Sequence, residues 1–95
     1  MKPTAVGVIG VGRIGTMHTL NLVRHGPEAH VKAVASPHVD PAWADELGIP
    51  IAATDADVLL SDPEIEAVVI ATPSGRHVEM VRRAARAGKQ IFCEK

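Results

Sequence analysis

Ninety-five residues make one small domain, a size at which folding buries roughly 60 to 65% of the surface the unfolded chain exposes. With 46% hydrophobic residues, 22% charged residues and a net charge of -1, the chain is neither a disordered tail nor a basic nucleic-acid binder. Its one basic concentration, Arg76, Arg82, Arg83, Arg86 and Lys89, reads as the wet side of a single helix.

Short apolar runs alternate with helical periodicity along the chain, the pattern of a parallel sheet with crossover helices. TAVGVI at 4–9 reads as a buried strand. Ile14, Met17, Leu20 and Val23 then repeat at the spacing of a helix face, and Gly26-Pro27 ends that helix. HVKAVA at 30–35 is the second strand. Pro41 opens a short helix through Leu47 that Gly48 terminates, with Trp43 packing it onto the sheet. Residues 51–53 suit a short third strand, and Asp55 caps a helical turn through Leu60.

AVVIA at 67–71 is a nearly continuous apolar run, as in a strand buried on both faces. Ser74 is then placed to cap a helix with Val78, Val81, Ala84 and Ala85 on its core side, and Gly88 closes it. QIFC at 90–93 is the last strand, with Cys93 as a buried strand residue. The expected architecture is a three-layer α/β Rossmann fold over residues 1–95, with a parallel sheet in the order 3-2-1-4-5.

Gly10, Gly12 and Gly15 form a G-x-G-x-x-G pattern between the first strand and the first helix, where a dinucleotide fingerprint belongs. Gly10 permits the tight turn, Gly12 lets the backbone approach a pyrophosphate, and Gly15 lets the helix pack close to the sheet. The free N–H groups of the helix start, at Arg13 and Ile14, favour the phosphates' negative charge. A glycine turn without a ligand is the competing reading. NAD or NADP is the expected cofactor.

The end of the second strand should read the adenosine ribose, and Ser36 occupies that position. A serine hydroxyl bonds either a ribose hydroxyl or a phosphate, so it excludes neither cofactor. His38 and Arg13 add positive character, Asp40 supplies an acid if the loop turns back, and no Arg follows Ser36. The balance leans slightly to NADP.

The histidines show no metal-ligand spacing, and the single cysteine, Cys93, can form neither an internal disulfide nor a cysteine metal cluster, so no metal site is expected. The apolar run after Met1, Lys2 and Pro3 is far shorter than a membrane helix or a signal-peptide core requires. A cytoplasmic protein without membrane or nucleic-acid partners is the expectation.

ATPSGRH after the fourth strand and CEK after the fifth both fall at carboxyl ends of parallel strands, where open α/β sheets bind ligands. With GVGRIGTMH and AGKQIFCEK, these stretches resemble the Gfo/Idh/MocA oxidoreductases, the family of the inositol 2-dehydrogenases, in order and spacing along the whole chain. The resemblance implies that Thr72, Pro73 and Ser74 lie beside the nicotinamide half of the cofactor and that His77 opens the following helix and shapes that loop. It implies that Glu94 binds the nicotinamide ribose and that Lys95 contacts the substrate hydroxyl and assists its proton transfer.

In the family a proline follows this lysine and a second α/β domain supplies further catalytic groups and the substrate pocket. Residues 1–95 stop one position short of that proline, so the expectation is the amino-terminal, cofactor-binding part of a longer enzyme, inactive alone. The implied reaction is hydride transfer at a secondary alcohol of a sugar, cyclitol or related polyol, with homo-oligomers, where formed, built through the second domain. A non-catalytic nucleotide-binding or sensing domain is the alternative. A methyltransferase, whose glycine loop looks similar, offers no reason for CEK.

Overall fold

The structure is a computed structural model that describes residues 4–10, 12, 16, 17, 19, 20, 29–72 and 74–93, with 29, 74, 75, 77 and 93 described by backbone only. Strand β1 spans Thr4–Ile9 and β2 Ala29–Ala35, and the backbone at 16, 17, 19 and 20 between them is helical. Helix α1 (Pro41–Glu46), β3 (Ile51–Ala53), α2 (Asp57–Leu60), β4 (Ala67–Ile70), α3 (Ser74–Arg86) and β5 (Gln90–Cys93) follow. All four strand pairings are parallel and the sheet order is β3-β2-β1-β4-β5, as the alternating pattern predicts. The order reverses beside β1, which opens a crevice between the carboxyl ends of β1 and β4.

Two apolar layers sandwich the sheet. On one face Ile9, Ala33, Ala35, Val68 and Ile70 pack with Leu59 and Leu60 of α2, Ile65, and Met80 and Ala84 of α3. On the other, Val8, Val31 and Val34 pack with Ala44 of α1 and Ile49, and Trp43 lies against them. Burial on both faces is why the strands read as continuous apolar runs instead of alternating ones.

Strand β2 breaks strict alternation. Val6 pairs with Val31 but Gly7 pairs with Ala33, so Lys32 is the extra residue of a bulge. The bulge changes the phase of the strand: Val31 and Val34 share one core, whereas Ala33 and Ala35 share the other. Lys32 is left free to reach the loop before β4, where its Nζ donates to Asp62 Oδ2 at 2.7 Å and to Glu64 Oε1 at 2.6 Å. In the same loop Lys89 Nζ donates to the carbonyls of Asp62 and Ile65 at 2.6 and 2.7 Å, so two ammonium groups tie down one turn.

Three local readings need correction. The core side of α3 is Met80, Val81 and Ala84, while Val78 is 64% exposed and Ala85 is also on the surface. Met80 and Ala84 are one turn apart on the inner stripe; Val78 and Ala85, seven apart, share the outer one with Arg82. Ser74 is the first residue of α3, not the residue before it. The basic group is also not uniformly wet: Arg76, Arg82 and Arg86 are exposed, but Arg83 pairs with Asp57 and with Asp55, and Lys89 is bound to the loop carbonyls.

Elsewhere the expected punctuation holds. Asp40 caps α1 by accepting the Ala42 N–H at 2.9 Å, and Pro41 is its first residue. Asp55 accepts the Asp57 N–H at 2.9 Å, although Ala56 stands between it and α2. Among the described residues no helix is long and apolar enough to cross a membrane.

The Lys32 ammonium, followed by the Glu64 N–H, holds the Asp62 carboxyl below the usual aspartate range. A lowered folded-state value means that the ionised carboxylate stabilises the fold above the ordinary value of about 3.9 and loses that contribution as pH falls through the folded value. Asp62→Asn is therefore expected to lower the urea midpoint at neutral pH, and the gap to the parent should narrow as the pH falls below the ordinary aspartate value and through the lowered folded one. A gap that stays constant across that range contradicts the assignment.

Candidate functional site

Immediately after β1 the chain turns at Gly10, whose φ is +90°. Its N–H donates to Ala35 O at 2.7 Å, which joins the end of β1 to the end of β2. On its other side a Cβ would lie 2.8 Å from Ala71 C and from Thr72 N, atoms of the backbone leaving β4. The Ala71 N–H in turn donates to Ile9 O at 2.8 Å. Both the positive φ and the missing side chain are thus required where three strand ends meet.

Gly12 has a different reason to be glycine. Among the described residues a Cβ there would meet nothing within 4 Å, so none of them demands its absence. The Thr16 N–H donates to Gly12 O at 2.8 Å, an i to i-4 bond of helical spacing. Gly12 is exposed, four residues before helical backbone at Thr16. Exposed glycine backbone at that point would fit a diphosphate.

Thr72, beside Gly10, carries the second sign of a ligand. Its Oγ1 is sealed from solvent and has no hydrogen-bond partner among the described residues. An unpaired buried hydroxyl costs about 1–3 kcal/mol, and nearly all such groups in folded proteins find a partner. A polar ligand between the carboxyl ends of β1 and β4 would satisfy it.

At the neighbouring end of β2, the Ser36 N–H donates to Ala53 O at 3.0 Å and Ser36 O accepts from the Val39 N–H at 3.2 Å. The loop does turn back, but the Asp40 carboxylate at its close is engaged by the start of α1. His38 is exposed on the turn.

The structure therefore brings Gly10, Gly12, Ser36 and Thr72 to one edge of the sheet. Ser74 and His77 lie in the first turn of α3 behind Thr72. Arg13, Ile14, Gly15, Pro73, Glu94 and Lys95 lie outside the described residues. Among the described residues no group of three His, Cys, Asp or Glu is arranged to hold a metal ion.

Comparison with known proteins agrees with this geometry. Residues 4–95 match the Gfo/Idh/MocA family model, described as an oxidoreductase family with an NAD-binding Rossmann fold. The chain is 44% identical over 90 residues to a scyllo-inositol 2-dehydrogenase (NAD(+)) of Bacillus subtilis, covering 93% of this chain and 26% of the relative. It is 38% identical over 91 residues to a D-xylose 1-dehydrogenase (NADP(+)) of Haloferax volcanii, covering 94% and 28%. Among solved structures, the scyllo-inositol dehydrogenase of Lactobacillus casei with bound NAD(H) and scyllo-inositol superposes with a TM-score of 0.89 at 35% identity, over 99% of this chain and 28% of that one. The chain thus spans little more than a quarter of the length of these relatives. With the fingerprint glycines, the sheet order and the family match in agreement, the chain belongs to the Gfo/Idh/MocA oxidoreductases and forms their NAD-binding Rossmann fold.

Proposed function

We propose that these residues are the cofactor half of a polyol dehydrogenase, in which hydride passes between a nicotinamide dinucleotide and a secondary alcohol carbon of a sugar, cyclitol or related polyol. The observation that carries the reading is the orphaned Thr72 hydroxyl buried beside Gly10, with bare backbone at Gly12 on the same sheet edge. The dehydrogenase relatives named above, acting on inositols and xylose, support the substrate class.

In this reading Gly12 and the helix start, with Arg13, Ile14 and Gly15, hold the pyrophosphate, and Ser36 reads the adenosine ribose. Thr72, Pro73 and Ser74 line the nicotinamide side, His77 shapes that loop, and Glu94 takes the nicotinamide ribose. Lys95 contacts the substrate hydroxyl and assists its proton transfer. The remaining catalytic groups and the substrate pocket belong to a second α/β domain, through which any homo-oligomer forms. The enzyme works in the cytoplasm, on small molecules, without nucleic-acid or membrane partners.

Two glycine variants separate fold from site. Gly10→Ala should lower stability by about 1–3 kcal/mol or more, because it strains φ and drives a Cβ into the Ala71–Thr72 backbone. Gly12→Val should leave the melting temperature near the parent's yet weaken both NADH and NADPH at least about tenfold, or 1.4 kcal/mol. Calorimetry showing unchanged binding by a folded Gly12→Val chain overturns the pyrophosphate assignment.

The catalytic reading makes its own prediction. Positioning of substrate, cofactor and proton acceptor can account for roughly 7–11 kcal/mol of a barrier, and in this reading much of it comes from the second domain. The 95-residue chain should bind the dinucleotide but form no reduced cofactor from myo-inositol or glucose. Sustained turnover that disappears in Lys95→Ala would place the chemistry within these residues alone.

A further inference from the structure

Past Val31, strand β2 has two ways to lie on β1. In the observed one Lys32 stands out of the ladder, Val8 pairs with Val34 and Ile9 with Ala35, and the Ala35 carbonyl accepts the Gly10 N–H at 2.7 Å. Without the bulge Lys32 would stand opposite Gly7, Val34 opposite Ile9 and Ala35 opposite Gly10. The end of β2 would then sit one residue, about 3.3 Å, further past the glycine turn. Strand β3 pairs with β2 only after the bulge, at Ala33, Val34 and Ala35, so it would move too. The pairing of β1 with β4 is unbroken, so Thr72 would stay in place.

The two registers differ most at residue 32. A slip of one residue turns every later side chain to the other face of the sheet. Ala33 and Ala35 would leave the layer of Leu59, Val68 and Ile70, and Lys32 and Val34 would take their places. Val34 would exchange one apolar setting for another, whereas an ammonium group cannot enter that layer unpaired. In the bulged register the same group is met by Asp62 Oδ2 at 2.7 Å and Glu64 Oε1 at 2.6 Å. Bulges between parallel strands are uncommon, and this one lies in the strand that ends at the glycine turn.

We propose that Lys32 is a positioning residue for the dinucleotide site. Its charge excludes the regular register of β2, and the resulting bulge aligns the β2–β3 half of the sheet with the β1–β4 half, where Gly10 and Thr72 lie. The inference rests on the dinucleotide site proposed above and adds a residue at the opposite end of the sheet that keeps the two halves of that site in register.

Three variants of the 95-residue chain separate register from mere tethering, read by calorimetry with NADH and NADPH and by amide NMR. Lys32→Arg keeps the charge and should bind as the parent does. Lys32→Ala removes the charge but keeps the extra residue, so both registers open. Both cofactors should then weaken at least about threefold, as when two-thirds of the chains are out of register, and the Gly10 and Ser36 amides should show a second set of signals. Deletion of Lys32 removes the charge together with the residue that needs a bulge. Val31, Ala33, Val34 and Ala35 then alternate between the faces, and binding should stay within about twofold of the parent's, although the lost ion pairs lower the melting temperature. The deletion decides even if Lys32→Ala fails to fold. A deletion that loses binding, or a Lys32→Ala chain with the parent's affinity and a single set of signals, overturns the inference and leaves the dinucleotide site standing. A parent chain that binds neither cofactor removes the site and the inference together.

Discussion

The site depends on one close approach, that of Gly10 to the backbone leaving β4. The absent side chain lets Ala71 and Thr72 lie within 2.8 Å of where a Cβ would stand, and the Gly10 N–H fastens the same turn to Ala35. The ends of β1, β2 and β4 are thereby held together at the point where the sheet order reverses. Any larger residue would push β4 away and open the crevice in which the Thr72 hydroxyl is sealed. Fold and function thus meet in a single missing methyl group. Gly12, two residues on, is under no such constraint from the described residues, and its role as a pyrophosphate contact belongs to the proposed site.

The polar groups are divided between the two ends of the sheet. Around the loop that enters β4, Lys32, Asp62, Glu64 and Lys89 satisfy one another and the loop carbonyls at 2.6 to 2.7 Å. The bulge in β2 makes this possible by releasing Lys32 from the regular pairing. At the carboxyl edge, Thr72 Oγ1 is buried without a partner among the described residues. Groups at the first end hold the fold, and the hydroxyl at the second is where the proposed ligand would find a partner.

Much of this was legible in the sequence, and for physical reasons. Strands buried on both faces appear as apolar runs, so β1, β4 and β5 were found with bounds within one residue of the observed ones. The glycines between β1 and the helical backbone after it marked the dinucleotide loop because few other uses call for that spacing there. The β2 bulge was not legible: Ala33 and Val34 are both apolar, and an alternating pattern cannot show which of them has changed faces. The inner stripe of α3 was missed because Val78 counts as core by hydrophobicity, and only the three-dimensional phase of the helix puts Met80 inside. The orphaned hydroxyl of Thr72 and the capping by Asp40 depend on partners in space or their absence, which residue identity alone leaves open.

The central claim is that a nicotinamide dinucleotide lies across the carboxyl ends of β1, β2 and β4. The most direct measurement is an amide NMR titration of the chain with NADPH. The account predicts that the amides of Gly10, Gly12, Ser36 and Thr72 shift most and saturate together, while those of Lys32, Asp62, Ile65 and Lys89 at the opposite end stay in place. Shifts centred on the Lys32 and Asp62 end, or bound cofactor that leaves Gly12 and Thr72 unmoved, would contradict it.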